Sequence, residues 1–172
     1  MHIIIFNTKG GVGKSTLCEY SSRQLQRLGY AVSVSNTDQQ QHVNNIKNDG
    51  AQYHLYDTAG AFTEQNVKLL KAARNVDAKI IIPVCTGKND AYEVDFVLEQ
   101  LQAYGVKDKA WFVLSKTRAN CLSTKLRRIE LLGTGVPVAK WTLPLLEDFS
   151  EQRDTLRTCA EMNKFLNELV LL

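Results

Sequence analysis

Short apolar runs alternate along the chain with longer segments in which apolar and polar residues recur at helical spacing. The short runs are dense in Ile, Val, Leu and aromatic residues, as expected of strands that are covered on both faces of a sheet. They predict strands at His2–Phe6, Ala31–Asn36, Tyr53–Asp57, Lys79–Val84, Ala110–Leu114 and Val136–Trp141. The longer segments predict helices at Lys14–Leu28, Gln65–Arg74, Ala91–Tyr104 and Ser123–Leu131, and a pair from about Glu147 to Leu172.

The order of these elements indicates the fold class. Strands and helices alternate, which is typical of βα units and of a mostly parallel, twisted sheet with helices on both faces. Gly29, Gly105 and either Gly133 or Gly135 follow predicted helices, where a left-handed C-cap is expected. We therefore expect a single α/β domain that covers residues 1–172.

Composition narrows the class of protein but not its function. Hydrophobic residues make up 44% of the 172 residues and charged residues 23%, as in ordinary globular proteins. The net charge of +3 is too small to indicate a nucleic-acid partner by itself. No apolar run approaches the roughly 20 residues that cross a bilayer, and the amino terminus lacks the pattern of a secretory signal. A cytoplasmic protein is the natural expectation.

A glycine-rich loop separates the first predicted strand from the first predicted helix. Its glycines allow backbone N–H groups to converge on a phosphate at the positive end of the helix. Lys14 supplies a charge for the β- and γ-phosphates, and the Ser15 hydroxyl suits Mg²⁺. The loop comprises Asn7, Thr8, Lys9, Gly10, Gly11, Val12, Gly13, Lys14, Ser15 and Thr16.

The loop has the form Lys-Gly-Gly-x-Gly-Lys-Ser/Thr, although Thr8 stands where the ordinary P-loop pattern has its first glycine. It resembles the deviant Walker A loop of the ParA/MinD group of P-loop ATPases, and its Asn7-Thr8-Lys9 opening is most similar to small ParA-type partition ATPases. The resemblance implies ATP and Mg²⁺ as cofactors. It also implies that Lys9 reaches the partner's ATP in a nucleotide-sandwich homodimer, so that Lys9 and Lys14 are both catalytic candidates.

Two aspartates, one just after a predicted strand and one at the last residue of the next, match further positions of this family. Asp38 aligns with the aspartate that positions the attacking water, and phosphoryl transfer depends on such positioning. Asp57 resembles the Walker B aspartate, so Ser15, Asp38 and Asp57 are the expected Mg²⁺ set. Asn36 and Gln39 depart from the family pattern, which leaves a slow or altered hydrolysis step open.

The expected adenine pocket follows the fifth strand. By family position it involves Ser115 and Lys116, with Thr117 and Arg118 after them, and the loop near Leu143–Leu146.

Basic residues in the carboxyl-terminal half suggest a surface that binds DNA without sequence preference. The alternative is a solvated helix face, since acidic residues lie among them. The cluster comprises Lys116, Arg118, Lys125, Arg127 and Arg128. The terminal apolar segment has few basic neighbours, so we expect it to pack against the sheet or a partner subunit rather than a membrane.

These features favour an ATPase of the ParA type that acts in DNA partition or cargo positioning. ATP would close a dimer, the dimer would bind DNA, and a ParB-like or other adaptor would stimulate hydrolysis. Two alternatives remain: a small-molecule kinase or dethiobiotin-synthetase-like ligase on the same fold, and a nucleotide-gated scaffold with little ATPase activity.

Overall fold

The structure is a computed structural model that describes residues 1–37, 43–87, 91–118 and 120–171. Its centre is a sheet of six parallel strands in the order β2-β3-β1-β4-β5-β6. The strands are β1 (His2–Ile5), β2 (Val32–Asn36), β3 (Tyr53–Asp57), β4 (Ala78–Cys85), β5 (Ala110–Thr117) and β6 (Val138–Pro144).

Helices cover both faces of this sheet. They are α1 (Lys14–Arg27), α2 (Glu64–Ala73), α3 (Ala91–Ala103), α4 (Leu122–Leu132), α5 (Glu147–Ser150) and α6 (Leu156–Leu169). On one face, Ile3 and Ile5 of β1 pack in a buried cluster with α1 and α6. On the other face, Ile4 joins a cluster that includes side chains of α2, α3 and α4. Alternate residues of one strand thus enter two separate cores, as a parallel sheet covered on both faces requires.

The predicted fold class is confirmed, with differences at element ends. β5 continues through Ser115 to Thr117, because a register shift lets its polar end pair with β6. Of the two glycines proposed after α4, Gly135 is left-handed with φ 76°, whereas Gly133 remains in the right-handed region. The apolar side of α6 packs in the core through residues such as Phe165, as expected.

No helix within the described parts of the chain is both long and apolar enough to cross a membrane.

A polar cluster lies on β1, β2 and β3, away from the carboxyl ends of the strands. The rings of His2 and His54 stack with centroids 4.7 Å apart. His2 Nδ1 lies 3.0 Å from the Tyr56 hydroxyl, and His54 Nδ1 lies 2.7 Å from Ser33 Oγ. Partial burial, followed by the adjacent His54 and the chain's amino terminus, lowers the pKa of His2 below its usual 6.5, while Asp77 opposes this shift.

We expect acidification to weaken the fold through His2. Below about pH 6.5 the unfolded chain binds a proton at His2 that the folded chain resists, so the free energy of unfolding should fall. His2→Gln should make this fall smaller, as measured by urea unfolding at about pH 7.5 and pH 5.5. His54→Gln should also make the fall in the free energy of unfolding smaller, because His54 contributes to the lowered pKa of His2. An unchanged pH dependence in both variants would contradict this role.

Candidate functional site

The glycine-rich loop lies where the strand order reverses. β1 has β3 on one side and β4 on the other, and the loop leaves its carboxyl end to enter α1. In open parallel sheets, the crevice at such a switch point is where ligands bind. The topology therefore places the predicted phosphate loop at the expected edge of the sheet.

Side chain to backbone hydrogen bonds fix the path of this loop. The Asn7 side chain donates from Nδ2 to the carbonyl oxygen of Pro83 at 2.8 Å, and its Oδ1 accepts from the Lys9 N–H at 2.9 Å. The Lys14 ammonium turns back and donates to the Lys9 carbonyl oxygen at 2.7 Å. Lys14 is only 6% exposed, so the loop encloses a cation inside its own curve.

Two glycines in the loop adopt left-handed backbone angles, with φ 72° at Gly11 and φ 93° at Gly13. A Cβ atom at Gly13 would lie 2.9 Å from Leu143 Cδ2, whereas a Cβ at Gly11 would meet nothing within 4 Å. Gly13 is the N-cap of α1 and provides no side-chain cap, and the first turn has no acidic residue. The first N–H groups of α1 therefore face a site suited to an anion.

The carboxyl end of β3 forms another part of the site. Asp57 is fully buried at the end of β3, and its carbonyl oxygen accepts from the Thr37 N–H at 2.9 Å and the Thr37 hydroxyl at 3.0 Å. The Thr58 hydroxyl donates to the Ile5 carbonyl oxygen at 2.8 Å and ties the next turn to β1. Asp38, the proposed catalytic aspartate, lies outside the described residues, as do Gln39 and Gln40.

The turn after β3 lies against the phosphate loop. A Cβ atom at Gly60 would come within 3.1 Å of Gly10 Cα and 3.2 Å of Gly10 N. No larger residue fits here without movement of one of the two loops. A change in one loop is thus transmitted directly to the other.

An open cavity of about 1060 Å³ lies above these loops. Lys14, Ser15 and Thr16 line it at the start of α1, Asn36 and Thr37 line it at the end of β2, and Glu64 lines it at the start of α2. Its apolar part comprises Leu143, Leu145, Leu146 and Phe149. Among the described residues that line the cavity, Lys14 is present and Lys9 is not.

The residues predicted to form the adenine pocket fall into two groups in the structure. Lys116 and the segment 143–146 line the cavity. Ser115 is fully buried, with its hydroxyl 3.4 Å from Cys85 Sγ, and the Thr117 hydroxyl lies 2.8 Å from Thr142 Oγ1. The side chains of Ser115 and Thr117 therefore support the end of β5 rather than face the cavity.

Several cavity residues had no signal in the sequence. The Tyr20 hydroxyl on α1 donates to the carbonyl oxygens of Asp148 at 3.2 Å and Arg153 at 2.9 Å, and the Tyr20 ring contacts Phe149 edge to face at 4.9 Å. These partners are more than a hundred positions away, so helical periodicity could not reveal them. They fasten α5 beside the cavity.

Residues with positive φ also lie around this edge of the sheet. In the described part of the chain, the non-glycine residues with positive φ are Lys116, Asn120 and Gln152. Lys116 and Gln152 line the cavity, and Asn120 lines a neighbouring groove. Left-handed non-glycine residues often mark functional sites, and two of these three line the cavity.

Cys18 on α1 is not a reactive group of this site. Complete burial, with smaller contributions from Asp57 and Glu19, raises the pKa of its thiol well above the usual value. It remains protonated and packs in the core.

The predicted basic cluster needs correction at two positions. Arg127 is 6% exposed, donates to the Gly87 carbonyl oxygen at 2.5 Å and pairs with Glu130 at 3.0 Å. Arg128 donates to the carbonyl oxygens of Ala139 and Lys140. These hydrogen bonds tie α4 to neighbouring segments, Arg127 to the loop at Gly87 and Arg128 to β6. Lys116, Arg118 and Lys125 remain exposed.

A separate basic groove of about 420 Å³ runs along the edge strand β6. Its basic residues are Arg118, Lys140, Arg157 and Lys164. Glu161 also lines the groove, but its carboxylate is engaged by Lys164 Nζ at 2.7 Å and by Trp141 Nε1 at 2.8 Å. The groove therefore has an excess of positive charge, together with hydroxyl groups such as those of Thr124 and Thr142.

Comparisons with known proteins agree with this arrangement. A family model described as the CobQ/CobB/MinD/ParA nucleotide binding domain matches residues 3–158. No curated protein sequence matches the chain significantly.

Solved structures with the same fold cover nearly the whole chain. A plasmid partition protein from Borrelia burgdorferi B31 bound to AMPPNP superposes with a TM-score of 0.73 at 16% identity, covering 96% of each chain. Cobyrinic acid a,c-diamide synthase from Mycobacterium smegmatis with ADP and magnesium gives 0.75 at 12% identity, covering 96% of this chain and 92% of that one. Apo McdA from Cyanothece gives 0.74 at 12% identity, covering 98% and 97%.

The Gly13 geometry generates a test of the site. Gly13→Ala should lower nucleotide affinity at least about tenfold. The strained φ, which costs about 1–2 kcal/mol, and the collision of the new methyl group with Leu143 both favour a loop conformation other than the one that binds phosphate. Calorimetric titration with Mg-ATP measures this change. Gly50→Ala is the control, since Gly50 is exposed, has no positive φ and lies outside the cavity. Equal affinities in the two variants would contradict the assignment of the loop.

Proposed function

Because this chain belongs to the CobQ/CobB/MinD/ParA family of nucleotide-binding domains, we propose that it is a Mg-ATP-dependent ATPase that works as a dimerising switch in DNA partition or cargo positioning. One observation carries the proposal: the buried Lys14 ammonium and the uncapped start of α1 converge on the same large cavity. A cation and convergent N–H groups at one point are what a polyphosphate requires.

The residues that line the cavity indicate how a nucleotide would be oriented in it. The phosphates lie over Gly10–Ser15, and the base lies toward Lys116 and the apolar segment 143–146. Phe149 offers an aromatic wall at that end. The γ-phosphate would then approach Gly60, whose close contact with Gly10 couples it to the turn after β3.

Ser15 and Asp57 are suited to hold Mg²⁺. Ser15 lines the cavity one position after Lys14, and the Asp57 carboxylate is buried at the adjacent strand end. A hydroxyl and a carboxylate are hard oxygen ligands of the kind that Mg²⁺ prefers, and the ion would neutralise developing charge on the phosphates. We assign Asp38, directly after Thr37, to positioning of the attacking water.

We propose that Lys9 acts on a second chain. It occupies the family position of the second lysine, it is half-buried at the rim, and it does not line its own cavity among the described residues. Its carbonyl oxygen accepts a hydrogen bond from Lys14 Nζ, which fixes the backbone at this position. ATP in one subunit would recruit Lys9 of the other.

A second candidate function is an ATP-dependent ligase or kinase. The structural likeness to cobyrinic acid a,c-diamide synthase supports it. Lys9 favours the switch instead, because a lysine that acts between subunits has no role in a pocket for a small acceptor substrate.

The basic groove along β6 is our proposed DNA surface. Arg118, Lys140 and Arg157 provide exposed charge, and nearby hydroxyl groups can donate to phosphate oxygens. Such contacts carry no base readout, so binding would be independent of sequence. An adaptor protein, ParB-like or other, would stimulate hydrolysis, and the switch would operate in the cytoplasm.

The dimer switch is tested by mass in solution. Light scattering with Mg-ATP, with ADP and without nucleotide should show an increase in mass with ATP alone, because only ATP presents a γ-phosphate to the partner's Lys9. Lys9→Ala should abolish this increase while nucleotide binding persists. Lys47→Ala, at another exposed lysine that does not line the cavity, should keep it. If the mass of the wild-type chain is the same with Mg-ATP, with ADP and without nucleotide, the ligase or kinase is favoured instead.

DNA binding is tested by neutralising the groove. The triple change Arg118→Gln, Lys140→Gln and Arg157→Gln should weaken binding equally for unrelated DNA sequences in Mg-ATP. The slope of log affinity against log salt should fall by about 0.9 for each phosphate that the groove no longer neutralises. Lys47→Gln with Lys68→Gln and Lys71→Gln, three exposed lysines outside the groove, is the matched control. Equal weakening in both sets would indicate a general charge effect rather than this groove.

A further inference from the structure

Helix α4 presents its apolar face to solvent. Leu122 and Ile129 are each 67% exposed, Leu126 is 51% exposed and Leu132 is 54% exposed. Surface helices of globular proteins normally turn such a stripe toward the core. Here the stripe is on the outer side of the helix.

The inner side of α4 is held largely by polar contacts. Its buried residues are Arg127 and Leu131. Arg127 reaches the Gly87 carbonyl oxygen, and Arg128 reaches those of Ala139 and Lys140. These contacts fix the orientation of α4, so the helix cannot rotate its leucines inward without breaking them. The exposure of the stripe is thus determined by the way α4 is held in the fold.

The stripe has the spacing of a helix-pairing seam. Leu122, Leu126 and Ile129 recur at intervals of four and three, which are the d, a and d positions of a heptad, and Gly133 follows at the next a position. The four exposed side chains form an apolar patch on the order of a few hundred Å², the size of the largest patch on a typical monomer, which is often functional. Two such patches facing each other would bury less than the roughly 1,200 Å² of a stable specific interface, so this association would be weak.

Charges beside the seam identify the occupant. In this register Lys125 is a g position and Glu130 is the e position five residues later. In a parallel pair, g of one helix lies beside that e of the other, so Lys125 of each copy meets Glu130 of its neighbour. Glu130 remains well exposed beside its own Arg127 and can accept a second cation. The seam is therefore complementary in charge to itself.

We propose that α4 is a self-association surface, on which a second copy of this chain docks its own α4 in parallel, independently of nucleotide. This interface is distinct from the one proposed at Lys9. It requires neither ATP nor the cavity.

Charge reversal tests the pairing directly. Lys125→Glu should weaken self-association of the nucleotide-free chain, because the new carboxylate would face Glu130 of the neighbouring copy. Glu130→Lys should do the same, because two ammonium groups would then meet. Mixing the two variants should restore self-association, since the two ammonium groups of one copy then face the two carboxylates of the other. Sedimentation velocity should show twice the monomer mass for the wild-type chain and the mixture, and the monomer mass for each variant alone.

Control variants distinguish this stripe from the rest of the exposed apolar surface. Ile129→Asp should give monomers, whereas Leu156→Asp, at a leucine that is 91% exposed on α6, should leave the mass unchanged. Retained Mg-ATP binding shows that each variant is folded. A monomeric wild-type chain at every concentration, or a mixture that stays monomeric, overturns the proposal. Loss of binding to anionic vesicles or to an acidic helical peptide in Ile129→Asp, without any change of mass, would overturn it in favour of those occupants.

Discussion

The hydrogen bond from the Lys14 ammonium to the Lys9 carbonyl oxygen organises the site. A cation that is 6% exposed is costly unless polar groups surround it, and here the loop's own backbone supplies one of them. The bond places a positive charge on the inner side of the loop. Gly13 is required next to it, because its φ of 93° and its position beside Leu143 leave no space for a side chain. The buried Lys14 ammonium and the left-handed backbone of Gly13 therefore depend on the same conformation of the loop.

The parallel sheet extends this constraint to the rest of the molecule. Since β1 is flanked by β3 and β4, the ends of these strands and of β2 converge on the loop from both sides. Asp57 arrives at the end of β3, Gly60 touches Gly10, and Thr37 bonds to the Asp57 carbonyl oxygen. These contacts join separate segments beside the glycine-rich loop. A change in the occupant of that loop therefore has short mechanical paths to two neighbouring strands.

The sequence predicted the fold well because the relevant signals are local. Strand runs, helical periodicity and the glycine-rich loop each depend on neighbours within a few positions, and the six strands appear where the runs stand. The failures share one cause. Arg127 and Arg128 look like a solvated basic pair, but carbonyl oxygens of distant segments capture them. Ser115 is enclosed by β4 and β6, and Tyr20 reaches α5 across the cavity. Such tertiary partners leave no periodic trace in one sequence.

The positions of the proposed surfaces have a consequence for assembly. Lys9 stands at the carboxyl edge of β1, whereas α4 packs beside β5 and β6, so one contact does not block the other. A chain with two separate two-fold interfaces builds an open array unless the two axes intersect at an angle that closes the assembly. In such an array α4 would supply a weak link that does not depend on nucleotide, and ATP at Lys9 would supply a conditional one, so that hydrolysis would leave only the α4 contacts. Each added subunit would also bring another basic groove, and phosphate contacts along one DNA molecule would accumulate with array length.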